Sequence, residues 1–459
     1  MRDLAFAIVW VVLFPVALWS AHIGVLLWIW VALLVPNQEL YGFMAGIPFN
    51  KVVVFATVFA IFFGRDKKKF YVDSTVTLCV LFFLCATLSS IFADYQTDRI
   101  WSYYDKLSKE LILAFCISGL MWSRHRIHML LLVFCISIGF TSVIEGLEVF
   151  VTAGGHKIVS SGGLGDNNGI ALVVLMTIPI LYYLAQYSIQ KYVKIVIFCV
   201  IPISIFAGIG SNSRGAFVGL LIIGVFFLWN TKNKFIGITV CVLAAVFVLL
   251  TAPESWVDRV SAMHSSVTET GENGSFMGRV VAWKISTLIA LDNPLTGGGF
   301  DAVAQRAIWY HYVEHLSEVN FISTPELPPF PLVAHSIYFE VLGDLGFPGL
   351  FVFLSILWMS IFNCGRIRRQ TRGRPELEWA DDLARMLQIS MVVYAVSGAA
   401  LSFAYSETYW ILVAVISRLN RTVQDALREA SDTIPVQNIT TTPPPAYIHA
   451  GAARANTSL

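Results

Sequence analysis

Charge is what this sequence has least of: Asp, Glu, Lys and Arg supply 13% of its 459 residues, against about a quarter in a soluble domain. With 56% hydrophobic residues and a mean hydropathy of +0.69, that shortage excludes an ordinary soluble globule and implies a polytopic membrane protein. A formal net charge of +1 gives no sign of nucleic-acid binding. All seven cysteines lie in apolar segments or at their ends, so neither a disulfide framework nor a thiolate metal site is suggested, and they read as small hydrophobes. No His-Glu-x-x-His occurs, and no Asp-x-Asp on the side assigned below to the exterior, so no metal is implied. No small-residue cleavage site follows the first apolar run, which therefore reads as a retained span.

What is abundant is apolar helix. About 20 apolar residues cross a bilayer core. Candidate spans cover about 4–35, 49–64, 74–93, 107–122, 127–150, 168–187, 192–210, 213–230, 234–251, 334–363, 383–403 and 407–419, about twelve in all. The first is too long for one straight span: it is either a helix kinked at Pro15 or two short helices broken near Ser20-Ala21-His22. Basic clusters at Arg65 to Lys69, Arg124-His125-Arg126, Lys191 to Lys194, Lys232 to Lys234 and Arg366 to Arg374 fall in every second connection, and the positive-inside rule assigns these to the cytoplasm. Residues 36–48, 94–106, 151–167, 211–213, 252–333 and 404–406 then lie outside, and both chain ends inside if the first 35 residues cross once.

The chain thus divides into an N-terminal bundle (1–251), a polar outer loop (252–333), C-terminal helices (334–419) and a tail (420–459). The tail, with its Thr440 to Pro445 run, reads as largely disordered. Within the loop, helices are expected around 276–291 and 300–317, lying on the membrane surface. The aromatics Trp309-Tyr310-His311-Tyr312 and the Trp101 to Tyr104 group suit either interfacial anchoring or stacking against sugar faces.

A few polar residues stand out. Arg214 sits between two spans in Gly210-Ser211-Asn212-Ser213-Arg214-Gly215-Ala216. An arginine there needs an anionic partner or water, and its small neighbours let a head group approach the backbone. The plainer reading is a side chain snorkelling to lipid phosphates. Arg279 lies on an expected surface helix, where a solvated face is the default. His335 opens the span after the loop. Its ordinary pKa of about 6.5 suits proton transfer near neutrality, the bland alternative being a histidine merely hydrogen-bonded at the interface. Glu340 and Asp344, about one turn apart, could orient partners or pair with a basic group. Ser213, Ser336, Asp166 and Asn167 flank these residues as candidate supporting groups. Gly297-Gly298-Gly299 lacks the strand–loop–helix setting of a phosphate cradle and reads as a turn.

Taken in order, Gly210-Ser211-Asn212-Ser213-Arg214-Gly215-Ala216, Gly278-Arg279-x-x-x-Trp283-Lys284, Asn293-Pro294-Leu295-x-Gly297-x-Gly299 and His335-Ser336-x-x-x-x-x-Leu342-Gly343-x-x-Gly346-x-x-Gly349 form a series. It resembles the O-antigen ligase (WaaL) and O-antigen polymerase (Wzy) superfamily of bacterial inner-membrane glycosyltransferases, over about residues 160–400. Met1-Arg2-Asp3-Leu4, Gly24-Val25-Leu26-Leu27-Trp28 and Gly165-Asp166-Asn167-Asn168 are similar to a subgroup named as O-glycosylation ligases associated with exosortase systems. The resemblance implies an all-α, GT-C-like membrane fold with a large periplasmic loop before a catalytic histidine. It implies transfer of a glycan from undecaprenyl pyrophosphate to an acceptor at the periplasmic face, with no metal, cofactor or nucleotide sugar. On the matching positions Arg214 and Arg279 hold the pyrophosphate and His335 is the base. The acceptor is lipid A–core, a protein hydroxyl or a growing glycan, and a monomer is the default.

Two other classes stay open. A lipid or glycan transporter would show paired internal repeats with broken helices, and no convincing repeat is seen. A scaffolding membrane protein would leave Arg214, Arg279 and His335 replaceable.

Overall fold

A computed structural model describes residues 2–152, 155–156, 158, 166–211, 213–230, 274–319, 323, 327–328 and 330–432. The first helices are α1 (Arg2–Trp19), α2 (Ala21–Leu34), α3 (Pro36–Glu39), α4 (Phe49–Phe63), α5 (Ser74–Phe92), α6 (Asp98–Leu120) and α7 (Arg124–Val151). There follow α8 (Asn167–Tyr187), α9 (Lys191–Gly210), α10 (Arg214–Asn230), α11 (Gly274–Asp292), α12 (Arg306–Val313), α13 (Ile337–Thr371), α14 (Glu378–Ser397) and α15 (Glu407–Asp432). Among the described residues there is no strand, as expected of an all-α membrane protein. Chain contacts separate Met1–Val423 from Gln424–Leu459, and everything below concerns the first unit.

The expected count of about twelve spans is not what these helices give. Seven are long and apolar enough to cross a membrane: α1, α5, α7, α8, α9, α13 and the stretch Pro375–Ala400 that contains α14. Three shorter apolar helices lie at Ala21–Leu34, Phe49–Phe63 and Gly215–Leu228. The segments expected at 107–122 and 407–419 fall inside α6 and α15, neither of which qualifies. Both carry charge within their length: Lys106, Lys109 and Glu110 in α6, Arg418 and Arg421 in α15. The segment 234–251, the start of the polar loop, most of the glycine-rich 154–165 loop and the tail beyond 432 lie outside the described residues. Of the two readings of the first 35 residues, the break at Ser20 is the one found. The Asp3 carboxylate accepts from the backbone of Gly42 and Met44, while Ser20 and His22 bond Asp66. So α1 and α2 run antiparallel.

Among the described residues the basic connections gather at one end of the bundle. Arg126 pairs with Asp66 at 3.3 Å, Trp122 Nε1 donates to the Lys67 carbonyl at 3.0 Å and Tyr187 donates to Asp382 at 2.7 Å. Arg418, almost fully buried, reaches the Ser118 carbonyl at 3.3 Å. Burial of Asp66 opposes its ionisation, but bonds from His22 and Ser20 outweigh this and hold its carboxyl below the usual range. At the centre stands α8, apolar all round and buried along most of its length, as such a helix must be.

At the other end the polar loop builds a small core of its own. Val281, Ile285 and Ile289 of α11 pack on Val303, Ile308 and Trp309. Trp309 is 1% exposed, so it is core and neither anchors an interface nor stacks on a sugar. The helix expected over 300–317 is α12 alone, flanked by 3-10 turns at Ala302–Ala304 and Leu316–Glu318.

The loop is locked to α13 through backbone. Gly346 (φ 68°, ψ −168°) interrupts α13, and Pro348 has no N–H to give the Asp344 carbonyl. The Phe347 N–H turns away to the Pro294 carbonyl at 3.0 Å. The carbonyls so released are taken by the triple-glycine turn: Gly298 donates to Gly343 at 2.9 Å and Gly299 to Asp344 at 3.1 Å. Ser89 of α5 adds a 2.6 Å bond to the Asp344 carbonyl. A break in an apolar helix is tolerable only when its backbone groups are satisfied this way.

Candidate active site

His335 stands just ahead of α13 in a left-handed conformation (φ 46°). Such backbone in a non-glycine residue costs on the order of 1–3 kcal/mol and persists only where its surroundings enforce it. Here they do. The His335 N–H donates to Ser402 Oγ at 2.7 Å, the neighbouring Ala334 carbonyl accepts from Trp283 Nε1 at 2.8 Å, and Trp283 stacks on Phe339 with ring centroids 5.1 Å apart. Ser402 is itself held: Glu340 Oε2 accepts the Ala404 N–H at 2.9 Å. Glu340 therefore serves the loop that positions His335, and Asp344 likewise accepts the Ala302 N–H at 3.1 Å. Ser336, buried, takes the N-cap position of α13 without a side-chain cap bond.

The ring is half-buried, and burial, reinforced by the Arg279 guanidinium, holds its pKa below the usual 6.5. Asp166 pulls weakly the other way. His335 Nδ1 is enclosed and has no hydrogen-bond partner among the described residues. The neutral imidazole is thus the favoured form, which is what a proton acceptor requires.

Asp166 caps α8 through the Gly169 N–H at 2.9 Å. Asn167 Nδ2 donates to the Ser211 carbonyl at 2.7 Å, tying the start of α8 to the turn before α10. In that turn the Ser213 N–H bonds Ser211 Oγ at 3.2 Å, and the Ser213 carbonyl accepts from Ala216 at 3.0 Å. Arg214 is the first residue of α10. Next to it, the Gly215 carbonyl accepts from Ser397 Oγ at 2.9 Å, and five residues beyond Ser397 comes Ser402. These bonds tie the start of α8, the turn before α10 and the end of α14 to one another, and the segment just beyond α14 holds His335 through Ser402, with Arg279 adding its charge. Two helix N-termini, those of α8 and α10, open at the same place, where the helix dipole and unpaired N–H groups favour an anion.

Ser402 was not among the residues singled out from sequence. The only signal is a serine after Gly398-Ala399-Ala400-Leu401, too common to act on. Ser402→Ala removes the acceptor from the part-buried His335 N–H, a loss toward the low end of about 1–3 kcal/mol. The thermal stability of Ser402→Ala is expected to fall accordingly, and Ser402→Thr, which keeps the hydroxyl, should restore most of it.

Residues 1–189 match a family of unknown function. No curated protein matches the chain. Residues 198–354, which include Arg214, Arg279, His335 and both partners of the glycine lock, match the O-antigen ligase family and place this part of the chain in the O-antigen ligase/polymerase superfamily.

Proposed function

We propose that this protein transfers a glycan from undecaprenyl pyrophosphate to the lipid A–core of lipopolysaccharide, at the periplasmic face of the bacterial inner membrane and without metal. The acceptor hydroxyl attacks the anomeric carbon, and the bond from that carbon to the pyrophosphate oxygen breaks. Its proton passes to His335, and undecaprenyl pyrophosphate leaves. Arg214 and Arg279 hold the pyrophosphate as negative charge builds on it. A planar guanidinium suits that oxygen geometry better than an ammonium, and cations placed where charge develops are often the largest catalytic contribution. The observation that carries this reading is the strained, Ser402-held His335 coupled to Arg279 beside the opening of α10.

The test is purified full-length protein with undecaprenyl-pyrophosphate glycan and lipid A–core, in buffer with chelator. Capped core with an inverted anomeric configuration is expected. Retention would remove direct displacement. Longer lipid-linked chains without capped core would make it a polymerase, and transfer only to an added protein a protein O-oligosaccharyltransferase. Movement of intact lipid-linked glycan with no new glycosidic bond would make it a transporter.

A further inference from the structure

The triple-glycine turn has a second side. Against Gly298 lies a cavity of about 320 Å³ with Asp94, Tyr95, Asn293, His311 and Tyr312 in its walls and Ile308 beneath. Asn293 Nδ2 donates to Asp94 Oδ2 at 2.9 Å, which orients the carboxylate and leaves it most of its acceptor capacity. Tyr312, 8% exposed, is bonded to Asp292, and the His311 ring meets it edge-on at 4.9 Å. No Lys or Arg lines the cavity.

This is a set of groups for hydroxyls, not for anions. A fixed carboxylate and an amide take hydroxyl hydrogen bonds, while tyrosine and isoleucine surfaces take the C–H face of a sugar ring. Phosphate or a uronic acid would meet Asp94 and Asp292 with like charge. The volume lies at the small end of ligand pockets, which run from about 300 to 1,000 Å³, so it fits one ring rather than a chain. Its place is set by α11: ten residues separate Arg279 from Ile289, another cavity residue, about 15 Å at the helical rise.

We infer that this cavity is a subsite for one neutral sugar residue of the glycan, remote from the anomeric carbon that reacts. The inference rests on the proposed glycan transfer, but its test does not need turnover. The probe is the oligosaccharide pool released by mild acid from the polyprenyl-linked fraction of cells that make the protein. Binding to full-length protein in nanodiscs is read by saturation-transfer NMR. Wild type and His335→Ala should bind alike. Asp94→Asn should weaken binding at least about tenfold, the worth of one hydrogen bond to a charged group, and Tyr95→Ala should weaken it measurably through loss of the ring face. A neutral methyl glycoside should compete where glucuronic acid does not. Absence of binding by wild type, or unchanged binding in both cavity variants, overturns the subsite, as does binding lost only in His335→Ala. Sugar binding that depends on Asp94 in a protein with no transferase activity would keep the subsite and sink the reaction.

Discussion

Replacing His335 with alanine is expected to cut glycan transfer about 10²–10⁴-fold, the usual contribution of a positioned general base. Rates with saturating donor and acceptor measure it directly, and activity equal to wild type would reduce His335 to an interfacial histidine. The pH profile makes the test sharper. Burial and Arg279 both hold the His335 pKa below 6.5, so the neutral imidazole predominates at that pH. The acid limb of kcat/KM should therefore fall below that value. Arg279→Gln removes a repulsion of the imidazolium and should move the limb to higher pH. Asp166→Asn removes an attraction and should move it lower, while asparagine still caps α8. Opposite displacements are hard to produce by misfolding, and identical profiles in all three proteins would disconnect His335 from the titration.

The second large effect is on assembly. Gly297 (φ 65°) and Gly346 (φ 68°) face each other across the lock: a Cβ on Gly297 would lie 2.6 Å from the Asp344 carbonyl group and the Gly346 nitrogen, and one on Gly346 2.7 Å from the Pro294 oxygen. Those neighbours are backbone and cannot step aside. Gly297→Ala and Gly346→Ala are each expected to lose the about 1–3 kcal/mol of a left-handed non-glycine residue together with the added cost of the clash. Thermal inactivation of the purified variants measures this. Gly373→Ala is the control: φ is 78° but nothing lies within 4 Å of its Cβ, so only the conformational part is lost. Equal destabilisation at all three positions would mean that the lock adds nothing.

The sequence made the helical class and the charged end of the bundle legible because hydropathy and lysine–arginine placement are local quantities. At α6 and α15 the expected spans lie in longer helices that carry charge along them, which hydropathy alone did not foresee. Arg279 and His335 could be named, and their electrostatic coupling is visible only once α11 is packed on α13. Ser402 and the Gly298–Gly343 bond were illegible for one reason: each joins residues more than forty positions apart through a backbone group, which every residue carries alike. Trp309 was misjudged because an aromatic among polar residues looks the same whether it faces a membrane surface or a small core.

The break in α13 carries a consequence for how the protein is made. This span is not one stretch of sequence, since part of its hydrogen-bond ladder is borrowed from residues synthesised about fifty positions earlier. The triple-glycine turn leaves the ribosome first and must wait, and α13 follows with open carbonyls two turns into its length. Any insertion between 300 and 335 that delays their meeting leaves those carbonyls in apolar surroundings, at several kcal/mol each. The length of that connection is thus a constraint on biogenesis, and variants that lengthen it should be cleared by quality control before activity can be assayed.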